Sequence, residues 1–168
     1  DKNIFKKLIL MRDHGRDPET GDVFLWGRNS RLDNLQAALL KYQFINYQLI
    51  IDRRRSIAEL YDKQLGGLDI LILPPTPNDG DHFDVFQNYE IEAENRDKLK
   101  DFLSLNNIGT TIQWGGKAVH HYEKLGFNQY LPYTDEIFNR MLMLPMNMSL
   151  TDREVLFVCE KIKEFYNK

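Results

Sequence analysis

Residues 32–65 read LDNLQAALLKYQFINYQLIIDRRRSIAELYDKQL, the longest periodic stretch in the chain. Ala37, Ala38, Leu40, Phe44, Tyr47, Ile51, Ile57, Ala58 and Tyr61 form a broad apolar stripe at helical spacing, with no proline or glycine among them. Asp33 supports the first turn, and Gly66-Gly67 ends the run. The spacing predicts one helix over residues 31–67, well beyond the globular mean of about 11–12 residues. A helix of that length reads as a bridge between two domains. Inside it, Arg53-Arg54-Arg55 reads as the solvated or interfacial side of the helix, the plainer reading being a solvent-facing surface where charges add little to stability.

On the N-terminal side, Ile4, Leu8 and Met11 predict a helix end over residues 3–12, stopped at His14-Gly15 with the glycine in a left-handed cap. Residues 13–30 are loop, punctuated by Asp17-Pro18, Thr20-Gly21-Asp22 and Gly27. Phe24 and Trp26 on that loop are expected to plug a core edge or meet a partner. On the C-terminal side, residues 70–73 form a short strand closed by Pro74-Pro75, and residues 77–81 a turn. Residues 83–92 alternate, with Val85, Gln87, Tyr89 and Ile91 on one face and Phe86, Asn88 and Glu90 on the other. A helix over 95–105, strands over 108–114 and 140–145, and a helix over 151–165 opened by a Thr151–Glu154 capping box complete the pattern. The order predicts an α+β fold: a small antiparallel or mixed sheet with helices on one face.

Composition narrows the function. The chain has 168 residues, with 22 Lys plus Arg against 25 Asp plus Glu and a net charge of −3. A sequence-independent nucleic-acid binder needs a basic excess that is missing here. No apolar run approaches the ~20 residues of a membrane span. The one cysteine, Cys159, supports neither an internal disulfide nor a cysteine-rich zinc site and suits a reducing cytoplasm; its apolar neighbours Val158 and Ile162 make it a packed thiol. His14, His82, His120 and His121 form no His-x-x-x-His pair, so no metal site is expected. Serine-hydrolase elbows, Walker loops and dinucleotide fingerprints are absent from the sequence. The chain opens at Asp1 in a charged helical stretch without an initiator methionine, and reads as part of something longer.

Two segments stand out chemically. Gly27-Arg28-Asn29-Ser30-Arg31-Leu32-Asp33 enters the long helix, where backbone amides with Asn29, Ser30 and Arg31 can receive an anion. An ordinary N-cap followed by a salt bridge explains the same residues. Gln113-Trp114-Gly115-Gly116-Lys117-Ala118-Val119-His120-His121-Tyr122 places an indole, a lysine and paired histidines at a sheet edge, where ligands are commonly met. A β-turn with a solvated Lys117 and a core Trp114 is the alternative.

Met11-Arg12-Asp13-His14-Gly15, followed by Gly27-Arg28-Asn29-Ser30-Arg31-Leu32-Asp33-Asn34-Leu35-Gln36-Ala37-Ala38, resembles the signature of the DegT/DnrJ/EryC1/StrS aminotransferases. Arg53-Arg54-Arg55-Ser56-Ile57-Ala58, Leu73-Pro74-Pro75, Asn107-Ile108-Gly109-Thr110 and Leu144-Pro145-Met146 extend the resemblance in order along nearly the whole chain. Phe86-Gln87-Asn88-Tyr89-Glu90-Ile91 and Gln113 to His120 are similar to enzymes that aminate C3 of dTDP-linked 6-deoxy-3-ketohexoses; many family members carry histidine in place of Gln87 and tyrosine-proline in place of Trp114-Gly115.

The resemblance implies a fold-type-I transferase using pyridoxal 5′-phosphate, with glutamate as amino donor and active sites at a homodimer interface. It divides the chain into the tail of a large cofactor-binding domain with an interface loop (1–30), an interdomain helix (31–67) and a C-terminal small α+β domain (68–168). Asn29 is expected to hydrogen-bond the cofactor phosphate of the partner subunit, with Arg31 beside it as a charge partner. Trp114, Lys117, His120 and His121 are expected to face the nucleotide-sugar. The lysine that holds the cofactor is expected upstream of residue 1, because Lys2, Lys6 and Lys7 sit on a charged helix; the chain alone is then inactive. A relative with histidine at that upstream position would be a sugar dehydratase, and a 4-aminotransferase is a further variant within the family. A stand-alone dimerising module that binds sugar nucleotides is the alternative from another class.

Overall fold

The computed structural model describes residues 1–77, 80 and 83–167, so His82 and part of the turn read at 77–81 lie outside the described residues. Helix α1 (Lys2–Arg12) is capped by Asp1, whose Oδ1 accepts the Asn3 N–H at 2.7 Å. The chain then reverses through two left-handed residues, His14 at φ 57° and Gly15 at φ 77°. Gly15 has no substitute here, since a Cβ would stand 1.6 Å from the Leu25 carbonyl oxygen. Bridges between Asp13 and Asn29 and between Arg16 and Val23 fold the following loop back on itself.

The apolar stripe of residues 32–65 forms two helices, α2 (Asn34–Ile45) and α3 (Tyr47–Leu65), and not the single helix that its periodicity predicts. The break is Asn46, at φ −105° and ψ 12°, whose N–H turns back to the Gln43 and Phe44 carbonyls. Asparagine competes with helical hydrogen bonding; the Phe44 and Tyr47 rings, 5.5 Å apart, pack across the interruption. The boundary between the chain's two compact units falls there, giving Asp1–Tyr47 and Gln48–Lys168. In the first unit neither α1 nor α2 buries a single residue, and among the described residues Phe24 and Trp26 are both exposed, Trp26 at 98%.

The second unit holds the core. Strands β1 (Leu71–Ile72), β2 (Tyr89–Ala93) and β3 (Met141–Leu144) lie in the order β1-β2-β3, all antiparallel, with Leu71 opposite Ala93 and Glu90 opposite Met143. Helix α4 (Arg96–Leu105) packs on α6 (Asp152–Tyr166). Ile57, Tyr61 and Leu65 of α3, Tyr89 and Ile91 of β2, Leu99 and Leu103 of α4, and Val155, Cys159 and Ile162 of α6 form one buried cluster. The fold is α+β with an antiparallel sheet. Its last helix opens as predicted, the Glu154 N–H donating to Thr151 Oγ1 at 3.3 Å and the Thr151 N–H to Glu154 Oε2 at 2.8 Å. Among the described residues, no helix is long and apolar enough to cross a membrane.

Four further readings change. The strand read over 108–114 is reduced to one bridge, Thr111 to Met143, because Trp114, Gly115 and Gly116 are all left-handed and curl residues 113–116 into a 3-10 turn. The alternation over 83–92 fails at Phe86, which takes φ 49° and buries its ring at 1% exposure, so the strand starts only at Tyr89. Helix α5 (Pro132–Arg140) is an addition to the pattern read from sequence, although proline at its start and Asp135 in its first turn are ordinary opening signals. The arginine run, finally, is half-buried and not solvent-facing. Arg53 donates to Asp152 Oδ1 at 2.6 Å and to the Leu150 carbonyl. Arg54 donates to the Phe86 and Gln87 carbonyls at 2.9 and 2.6 Å. Arg55 donates to the Asp84 carbonyl at 2.8 Å and to that of Pro77, with its guanidinium 4.4 Å above the Phe83 ring.

Candidate functional site

In the first unit, the structure ties Asn29 and Arg31 to one another. Arg31 Nε donates to Asn29 Oδ1 at 3.2 Å, and Arg31 Nη1 pairs with Asp13 Oδ1 at 3.2 Å. The strand-like bridge of Asn29 to Asp13 is extended by backbone bonds from His14 to the Arg28 carbonyl at 3.0 Å and from Ser30 to that of Arg12 at 2.8 Å. With its oxygen engaged, the Asn29 carboxamide keeps Nδ2 without an acceptor among the described residues, on an exposed surface beside the exposed Arg28. An amide N–H and a guanidinium are donors suited to a phosphate. Arg31 is already paired with a carboxylate, so it acts on the orientation of Asn29 and its own charge is partly spent on Asp13.

In the second unit, Trp114, Lys117 and His120 come together on one cavity of ≈ 620 Å³, closed on the other side by Leu131, Thr134 and Phe138. Its wall is made by the left-handed turn at Trp114, with φ 53° and ψ 25°, which leaves the indole 75% exposed and outside the core. His121 does not line the cavity. It turns behind it, where His120 Nε2 and His121 Nε2 lie 2.8 and 2.6 Å from the same oxygen, Oδ1 of Asp135. The Ala118 N–H donates to His121 Nδ1 at 3.1 Å. That bond fills the Nδ1 lone pair and puts the His121 proton on Nε2, where it donates to Asp135. The three groups lie within 4.8 Å of one another, a spacing a metal ion also accepts. The tautomer nevertheless makes His121 Nε2 a donor, not a ligand. Hydrogen bonds from His121 and then His120 hold the Asp135 carboxyl below its ordinary value. The clasp ties the loop wall to α5. Sequence reasoning misses Asp135 because it misses the helix that carries it.

Residues 1–163 match the family model described as the DegT/DnrJ/EryC1/StrS aminotransferase family. The chain belongs to this family. Among its curated relatives is a pleiotropic regulatory protein of Geobacillus stearothermophilus, 33% identical over 99% of this chain and 45% of that protein. A UDP-N-acetyl-3-dehydro-alpha-D-glucosamine 3-aminotransferase of Acidithiobacillus ferrooxidans is 31% identical over 97% of this chain and 43% of its own length. A dTDP-3-amino-3,6-dideoxy-alpha-D-galactopyranose transaminase of Aneurinibacillus thermoaerophilus is 26% identical over 98% and 45%. The crystal structure of S. venezuelae DesV in complex with a ketimine intermediate matches the fold with a TM-score of 0.88, at 26% identity over 100% of this chain and 45% of that one. The chain thus spans under half the length of these relatives.

Proposed function

We propose that this chain is the C-terminal part of a pyridoxal 5′-phosphate-dependent enzyme that moves an amino group from glutamate to C3 of a dTDP-linked 3-keto-6-deoxyhexose. The observation that carries the reading is the Asn29 carboxamide, locked by Arg31 and the Asp13 bridge with its amide N–H free among the described residues. That donor fits a cofactor phosphate, and in a homodimer the phosphate is the partner subunit's. When bound, pyridoxal phosphate supplies the electron sink for amino-group transfer. The chain's own residues bind and orient. Lys117 brings an ammonium to the diphosphate, Trp114 offers an aromatic face to a ring, and His120, fixed by Asp135, closes the polar side. Both named aminotransferase relatives are 3-amino enzymes by name, in keeping with that position.

The exposed apolar helices of the first unit support a homodimer and an upstream domain as their cover, in a cytoplasmic enzyme. The cofactor-bearing lysine belongs to that upstream domain, so this chain mixed with pyridoxal phosphate is expected to give no visible absorption band and no turnover. The full-length enzyme, given glutamate and a dTDP-3-keto-6-deoxy sugar, is expected to form a C3 amine, followed by mass spectrometry and NMR. Turnover of the 4-keto isomer alone would make it a 4-aminotransferase, and loss of the hydroxyl a dehydratase. A preference for the UDP-linked ketosugar would move the nucleotide assignment. The regulatory relative favours a second reading, a sugar-nucleotide-binding regulator without turnover. Tight dTDP binding by the full-length protein with no amine formed under any keto-sugar would select it.

A further inference from the structure

The left-handed backbone at Trp114, φ 53° and ψ 25°, is an uncommon and strained state for a bulky residue. The surrounding structure holds it there. With its amide oriented so that both of its ends are satisfied, Gln113 donates Nε2–H to Glu90 Oε2 at 2.8 Å and accepts the Trp114 indole N–H at 3.3 Å. Glu90 stands in β2, opposite Met143, and Met143 is bridged in turn to Thr111, two residues before Gln113. The chain Glu90–Gln113–Trp114 therefore runs from the middle strand of the sheet to the cavity wall. Partial burial raises the Glu90 carboxyl above its ordinary value, a desolvation that a surface glutamate would avoid. An indole on a three-residue left-handed turn has few other restraints, because Gly115 and Gly116 have open backbone freedom.

We propose that Glu90 and Gln113 are positioning residues that hold the Trp114 indole as a fixed face of the cavity, set to stack on a flat ring of the nucleotide-sugar. The ligand half of this rests on the proposed function. The restraint on the indole does not. The test uses the full-length protein labelled with 5-fluorotryptophan, the Trp114 resonance being assigned by Trp114→Phe. Gln113→Leu and Glu90→Leu are expected to broaden or split that resonance and to raise its solvent isotope shift, while Glu90→Gln, which keeps an acceptor for the Gln113 amide, leaves it as in the wild type. In parallel, calorimetry with dTDP is expected to show binding weakened about tenfold by Gln113→Leu, the scale of one stacked ring, and restored in Glu90→Gln relative to Glu90→Leu. In turnover the same variants raise KM and spare kcat. A Trp114 resonance unchanged in Gln113→Leu would overturn the proposal. So would dTDP affinity unchanged in Gln113→Leu while Trp114→Ala weakens it. A wild-type protein that does not bind dTDP overturns the functional reading instead, and the fluorine resonances still decide the positioning role.

Discussion

At the scale of single residues, the chemistry of both units depends on groups that are held rather than merely present. Gly27 shows how close the holding is, since a Cβ there would meet the Gly15 nitrogen at 2.3 Å and the Met11 carbonyl oxygen at 2.7 Å. Arg31 and the loop backbone aim one amide of Asn29, and Asp135 aims two imidazoles. The Asp135 carboxyl is depressed, so its stabilising contribution is complete above the ordinary aspartate value of 3.8 and is lost as pH falls through the lower folded value. Carbon-detected NMR titration is expected to place the Asp135 midpoint below 3.8, and His121→Phe, which removes the leading cause, to move it upward. A midpoint unmoved by that substitution would mean the clasp does not form in solution.

At the scale of elements, the arginine run of α3 decides how the irregular segment before β2 is pinned. Arg54 spans two successive carbonyls, both reached by the N–H donors of its one nitrogen Nη1. Arg54→Ala is expected to cost about 1–3 kcal/mol by leaving the part-buried Phe86 carbonyl unpaired, and Arg54→Lys, which keeps several N–H donors on one nitrogen, to recover part of it, as read by denaturant unfolding. These arginines are also where the sequence misleads. Helical periodicity places them beside the apolar stripe, but nothing local announces that a loop will lie across them and offer its carbonyls. The elements that are legible have signals in their own residues: the Thr151 capping box, the Gly66 stop and the amphipathic Arg96–Leu105. Those that are not depend on partners far along the chain, such as the bridge that Thr111 makes to Met143 in place of a full strand. That Trp114, Lys117 and His120 share one cavity is legible as a grouping, because their odd composition stands out without knowledge of the packing. His121, grouped with them by its place in the sequence, lies outside the cavity lining and joins His120 on the Asp135 carboxylate.

At the scale of the molecule, the two units differ in where their stability comes from. The buried cluster, the sheet and the arginine staples all lie within Gln48–Lys168. Helices of 11 and 12 residues with no buried side chain, as in α1 and α2, are marginal by themselves. Prepared as separate peptides, residues 48–168 are expected to unfold cooperatively, and residues 1–47 to show little helix by circular dichroism. Cys159 gives the unfolding an independent readout, because burial pushes its thiol up to about 12 and leaves it protonated and unreactive toward iodoacetamide until the core opens. Labelling of Cys159 in the native 48–168 protein would show that the core is loose. Trp26, at 98% exposure, carries a further consequence. Indole fluorescence responds to the polarity around the ring, so this side chain is a built-in optical gauge: red-shifted and readily quenched by iodide while water surrounds it, blue-shifted and shielded once another surface settles over the first unit.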